Sequence, residues 1–175
     1  MNIHDLLVEY NNGKNFEFTF FWGERYNNGF LSNWLPCSFE VEGVKYWCTE
    51  QYMMAKKAEL FGDNKVKAEI MCSTNQKEIK DLGRKVSNFD SEIWDENKEK
   101  IVFEGNLAKF TQNDRLKSLL MNTGDSILVE ASPYDRIWGI GLKSDDVSVN
   151  NPNNWLGQNL LGFTLMRVRE ILKTI

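Results

Sequence analysis

Histidine and cysteine are scarce in this chain, and their scarcity removes whole classes of chemistry. The only histidine is His4, close to the start and expected in a mobile terminus. A histidine base is therefore disfavoured, and acid–base work falls to carboxylates, lysine or tyrosine. Cys37, Cys48 and Cys72 form no CxxC pair, and with one histidine they assemble no four-ligand zinc site of familiar spacing. None has a histidine to activate it, so thiol catalysis is not expected. The odd cysteine count, with no apparent signal peptide, points to a reducing cytoplasmic setting. No apolar run is long enough to span a bilayer, so no membrane partner is expected. Three prolines and scattered glycines leave no low-complexity linker and no internal repeat. An excess of positive charge is missing too: 21 Lys and Arg stand against 25 Asp and Glu, a formal charge of -4. That excludes attachment to nucleic acid or anionic lipid by bulk positive charge, though not a small basic pocket.

What the chain has in excess is aromatic residues. Phe, Trp and Tyr make up 13% of 175 residues, and six of them are Trp. Their commonest use is core; flat rings also line pockets for a base or a sugar. The length fits one domain over residues 1–175. Phe16-Glu17-Phe18-Thr19-Phe20 alternates as a strand does, and Phe39 to Tyr46 reads as a hairpin turning at Glu42-Gly43. The middle is helical. Thr49 is the expected cap of a helix towards Leu60, and Gly62-Asp63 ends it and starts the next. Lys65–Met71 and Gln76–Leu82 follow, the latter closed by Gly83. Asp90 caps a longer helix through Trp94 and Leu107, with Gly105 as a weak point. Thr111-Gln112-Asn113-Asp114 resembles a capping box ahead of a helix that Gly124 stops. Leu128–Glu130 and Arg136–Trp138 read as short extended pieces, Asn150–Asn154 as a polar loop, and Gly157–Lys173 as a final helix. The sum is a mainly α domain with small β elements. With no βαβ alternation, a Rossmann sheet is disfavoured.

Within Glu50-Gln51-Tyr52-Met53-Met54-Ala55-Lys56-Lys57, helical spacing puts positions 50, 53, 54 and 57 on one face. Met53 and Met54 are natural core contacts, so Glu50 and Lys57 lie along a buried stripe, roughly 10 Å apart along the axis. Lys57 is either an edge lysine with a packed stem and a hydrated head, or a desolvated amine able to attack an electrophilic carbon. Lys56, one position on, points with Tyr52 and Leu60 to water.

A second constellation is Glu130-Ala131-Ser132-Pro133-Tyr134-Asp135-Arg136-Ile137-Trp138-Gly139-Ile140-Gly141. Trp138 offers a stacking face, and Gly139 and Gly141 let backbone N–H groups approach a phosphate or sugar oxygen. The plainer alternative is a packed turn in which Asp135 caps its own backbone. Arg84 is either a phosphate ligand at a helix end or a surface group. Asn33 is a turn residue able to hydrogen-bond a ribose hydroxyl, and Trp47 and Trp94 are core residues or stacking platforms.

Taken together, the chain resembles the NADAR superfamily (NAD- and ADP-ribose-associated), also called YbiA-like. The resemblance runs over residues 18–172, from Phe20-Phe21-Trp22 and Phe30-Leu31-Ser32-Asn33-Trp34 through Thr49-Glu50-Gln51-Tyr52 and Lys57-Ala58. It continues through Leu82-Gly83-Arg84, Phe89-Asp90 with Trp94, Asp135 with Trp138-Gly139-Ile140-Gly141, and Asn159-Leu160-Leu161-Gly162. It implies a mostly helical domain that cleaves N-glycosidic bonds with no metal or other cofactor. Lys57 matches the family's Schiff-base lysine and Glu50 its acidic residue, while Trp94, Asp135 and Trp138 match active-site positions. Met53-Met54 stands where some relatives are more polar or aromatic. The implied substrate is an ADP-ribosylated nucleobase such as guanine, with local contact to modified nucleic acid. The alternatives are a ribosylamino-pyrimidine phosphate of riboflavin synthesis, and non-hydrolytic ADP-ribose binding.

Overall fold

The structure is a computed structural model that describes residues 1–175. In chain order its elements are α1 (Ile3–Asn11), β1 (Phe18–Phe21), a 3-10 turn (Gly29–Leu31), β2 (Phe39–Val41) and β3 (Val44–Tyr46). Then come α2 (Thr49–Leu60), α3 (Asn64–Cys72), α4 (Gln76–Arg84), α5 (Ser91–Thr111), α6 (Asp114–Met121), β4 (Ile127–Glu130), a second 3-10 turn (Pro152–Asn154) and α7 (Leu160–Leu172). Seven helices and four short strands give the expected mainly α fold with small β elements. No helix is long and apolar enough to cross a membrane. The chain divides into two compact units, one of Met1–Ser32 with Lys117–Ile175 and one of Asn33–Leu116.

In the first unit β1 and β4 pair in parallel, Phe18 opposite Ile127 and Phe21 opposite Glu130. Their apolar side chains join Leu6 of α1, Ile140, Val149 and Phe163 of α7 in one core. Phe16, Phe18 and Phe20 are partly buried against it. Helix α1 was not expected from the sequence, and His4 lies in it rather than in a mobile terminus. The signal was present: Asn2 and Asp5 form a reciprocal capping box ahead of buried Leu6. The final helix begins at Leu160, later than Gly157, because Asn159 has φ 54° and cannot continue a helix. Its buried amide instead brackets β4, accepting from the Glu130 N–H at 3.0 Å and donating to the Leu128 carbonyl at 2.9 Å. A Cβ on Gly162 would stand 2.0 Å from the Leu128 carbonyl oxygen, so only glycine lets α7 approach this closely. Arg136–Trp138 is a turn rather than an extended piece, for a reason that lies in Asp135.

In the second unit β2 and β3 form the expected hairpin, and Glu42 (φ 53°) and Gly43 (φ 77°) give the two left-handed residues of a type I′ turn. Helix α2 is its centre, packed by α3, α4 and α5. Burial therefore extends from Thr49 through Ala55 and to Ala58, nearly around the helix rather than along one stripe. Its cap position is Cys48; Thr49 is the first helical residue. Gly83 lies inside α4 instead of closing it, since a Cβ there would meet Met54 Sδ at 2.0 Å. Gly105, expected as a weak point, is where α5 crosses tightly over α2: its Cβ would be 2.6 Å from the Tyr52 ring. Asp63 and Asp90 cap α3 and α5 as expected. Thr111 is the last residue of α5, not the cap of α6; Asn113 Nδ2 donates to the Lys109 carbonyl and so closes α5 instead.

Candidate active site

Lys57 sits in the last turn of α2 and is half-buried. Its Nζ donates to the Gly83 carbonyl at 2.9 Å and lies 4.2 Å from the centre of the Phe89 ring and 5.5 Å from that of Trp94. No carboxylate comes within ion-pair distance. Burial holds its pKa below the ordinary lysine value. Ring faces favour the ammonium by about 0.5–2 kcal/mol, so they oppose this shift while also excluding water; desolvation wins. Lys56 is the opposite case. Burial lowers its affinity for a proton, but Glu59, at 3.3 Å, and Glu42 more than offset it, and its pKa stands raised. Of two adjacent lysines, the one facing rings and a carbonyl is the one poised to lose its proton.

At the other end of α2, Glu50 is 4% exposed. Its backbone N–H donates to the Asn33 carbonyl at 2.9 Å, which ties the loop before β2 to the first turn of the helix. Asn33 is itself buried, and its Oδ1 accepts from Asn106 Nδ2 at 3.0 Å. Trp47, on the turn into α2, is 38% exposed, and its backbone N–H donates to Gln51 Oε1. Arg84 is mostly exposed and pairs with Asp81 one turn back at 3.1 Å, the geometry of a surface pair worth ~0–1 kcal/mol. Cys48 is buried, which pushes its thiol up to about 11, and burial likewise raises Cys37.

Asp135, Trp138 and Gly139 form their own constellation in the first unit. Asp135 Oδ1 accepts the N–H groups of Ile137 and Trp138, both at 2.8 Å, and this fold-back is why residues 136–138 turn. Gly139 is buried with Glu130 and Asp135 carbonyl oxygens 2.8 and 3.0 Å from where a Cβ would stand. The N–H groups of Asn159 and Leu161 donate to the carbonyls of Gly139 and Trp138, fixing the loop to the start of α7.

The sequence model of the NADAR domain matches residues 20–173. The chain belongs to the NADAR family. It is 47% identical over 163 residues to N-glycosidase R617 of Acanthamoeba polyphaga mimivirus, covering 88% of this chain and 95% of that protein. It is 30% identical to a riboflavin biosynthesis protein, VVA0006, of Vibrio vulnificus, covering 88% of this chain but 38% of that longer protein. Its fold matches the NMR structure of YbiA from E. coli with a TM-score of 0.75 and 28% identity, over 92% of this chain and 88% of that one.

Two parts of the Lys57 surroundings were not expected from the sequence. Phe89 is the ring nearest the Lys57 amine, yet it carried no expected role. Its signal lies in the cap: Phe89 precedes the Asp90 cap and Trp94 follows it by four, the two positions of a hydrophobic staple. The Gly83 carbonyl had no side-chain signature at all.

Proposed function

We propose that this NADAR protein removes ADP-ribose from a nucleobase through a Schiff base on Lys57. The relatives named N-glycosidases place it among hydrolases of N-glycosyl bonds, with a glycosylated nucleobase-type substrate. The observation that carries the finer reading is the Lys57 amine: partly desolvated, without a carboxylate partner, and flanked by rings. Such an amine is neutral at lower pH than a free lysine and is therefore a competent nucleophile.

In the proposed sequence the ribose ring opens as O4′ takes a proton, leaving an iminium between C1′ and the base nitrogen. Lys57 Nζ adds to C1′; the C1′–N bond to the base breaks, and the base leaves with a proton. Water then adds to the Lys57 iminium, and collapse of the carbinolamine frees ADP-ribose and the amine. Glu50 serves as the proton carrier. Asp135 is assigned to holding the loop, because its carboxylate already accepts two backbone N–H groups. Within the unit that holds Lys57, Trp94 with Trp47 offers faces to the base or sugar, and Asn33 and Arg84 offer hydrogen-bond donors. Contact with nucleic acid is local to one modified base, in keeping with a net charge of -4.

Borohydride trapping tests the mechanism. With guanine-linked ADP-ribose on DNA, the expected result is unmodified guanine left in the strand, released ADP-ribose and a reduced sugar adduct on Lys57. Full release by Lys57→Ala would overturn the Schiff base, and tight ADP-ribose binding without release would make the protein a reader. A second reading is favoured by the Vibrio relative's name: the same bond broken in a ribosylamino-pyrimidine phosphate, recognised by release of ribose 5-phosphate.

A further inference from the structure

We propose that Asn106 sets the polarity of the Asn33 amide, so that Asn33 presents an obligate hydrogen-bond donor, Nδ2, to an acceptor oxygen of the sugar. The inference rests on the reading of Asn33 as a substrate contact and deepens it. Asn106 Nδ2 donates twice, to the Val102 carbonyl one turn back in α5 at 3.0 Å and to Asn33 Oδ1 at 3.0 Å. A backbone carbonyl can only accept, so the Asn106 atom facing it must be the NH2 nitrogen. The same nitrogen faces Asn33, so the Asn33 atom there must be oxygen. The orientation of both amides thus follows from one carbonyl that cannot change its character. Asn33 Nδ2 makes no hydrogen bond within the protein and is not sealed from solvent.

The arrangement is not one that packing alone selects. Asn106 is fully buried, and its own Oδ1 has no partner. A buried acceptor left unpaired is costly, and an apolar side chain of similar size would avoid it. An uncharged amide donates from one nitrogen to two acceptors and so transmits the polarity of the α5 backbone to residue 33. Gly105 lets this happen: a Cβ there would strike Tyr52 and Thr49 and push α5, with Asn106, away from the start of α2. The Asn33 backbone carbonyl meanwhile holds the Glu50 N–H, so the donor is anchored to the turn that carries the proposed proton carrier. A sugar oxygen, which accepts whether it is hydroxyl or ether, is a group that such a donor recognises.

Side-chain amide exchange in the native protein, followed by NMR, reads the polarity without any reaction. The Asn106 NH2 should be protected, while the Asn33 NH2 exchanges freely and shifts when ADP-ribose is added; the reverse pattern overturns the proposal. Asn106→Asp cannot donate, so the Asn33 amide should turn over: its NH2 becomes protected and kcat/KM falls roughly 10- to 100-fold. If Asn106 acts through Asn33, Asn106→Asp costs no more than about twofold in an Asn33→Ala background, and additive losses sink the idea. Should Asn106→Asp fail to fold, Asn33→Asp decides. It keeps the acceptor towards Asn106 and loses the outward donor, so a similar loss is expected with an unchanged unfolding midpoint; near-native activity would mean that oxygen faced outward. Absence of a Lys57 adduct in the native protein would instead sink the functional reading, leaving the exchange pattern to judge the amide polarity.

Discussion

Lys57 and Asp135 are both partly buried charged residues in stretches that the NADAR resemblance marks, yet the two units treat them differently. Around Lys57 the polar partner is one carbonyl and the rest is ring, so the charged head has little to satisfy it. Around Asp135 two backbone N–H groups satisfy one carboxylate oxygen. The first environment leaves an amine easier to deprotonate by withholding partners; the second ties a carboxylate to the backbone by supplying them. The same contrast separates Lys57 from Lys56, where one residue along the helix changes rings for carboxylates.

The largest expected effect is at Lys57. Lys57→Ala should lose about 10³-fold or more in ADP-ribose release and all borohydride adduct, while Lys56→Ala keeps the adduct. Next, Glu50→Gln should cost about 10²-fold in kcat, since it keeps shape and loses the proton. Asp135→Asn keeps the capping oxygen and should cost only a few-fold, with Asp135→Ala worse than Asp135→Asn. Equal loss at Asp135→Asn and Glu50→Gln would break the division of labour.

Close packing gives a third test, read by denaturant unfolding. Gly162→Ala drives a methyl into a backbone carbonyl, whereas Gly83→Ala meets the flexible end of Met54. Overpacking of this kind costs about 1–3 kcal/mol, and Gly162→Ala is expected at or above the upper end, Gly83→Ala below it. The fourth test is a pH profile. ADP-ribose release needs the neutral amine, so it should rise with pH through a value below that of a free lysine. Phe89→Ala admits water, raises the Lys57 pKa and moves that rise to higher pH; a shift to lower pH would mean that the ring acts mainly by stabilising the cation. The smallest effect concerns thiols. Cys72 is exposed and should react first with a thiol reagent, while buried Cys48, with its thiol pushed up to about 11, reacts only on unfolding.

Helical segments and their acidic caps were legible because spacing and cap chemistry are local: Asp63, Asp90 and the Glu42-Gly43 turn act where they stand. Gly83 and Gly105 were misread as a stop and a weak point because their purpose belongs to the neighbouring helix that needs the room. The same holds for Asn159, whose left-handed conformation is set by β4. At the candidate site, the position of Lys57 on α2 and its likeness to a family lysine could be read; its second ring and its carbonyl could not. Asn33 could be named, but not which end of its amide faces outward, since that is decided by a backbone atom of a helix far along the chain.

The pairing of β1 with β4 also bears on how the protein is made. The unit of residues 33–116 is one continuous stretch whose helices pack with near neighbours, so it can condense as soon as that stretch has left the ribosome. Strand β1 is synthesised before that stretch but must wait for Ile127–Glu130, which follows it, and then for α7. Closing so long an interval is the slow step of a chain with this topology. Until then the Phe-rich β1 strand is exposed, which makes that segment of the nascent chain the place where a chaperone is most needed.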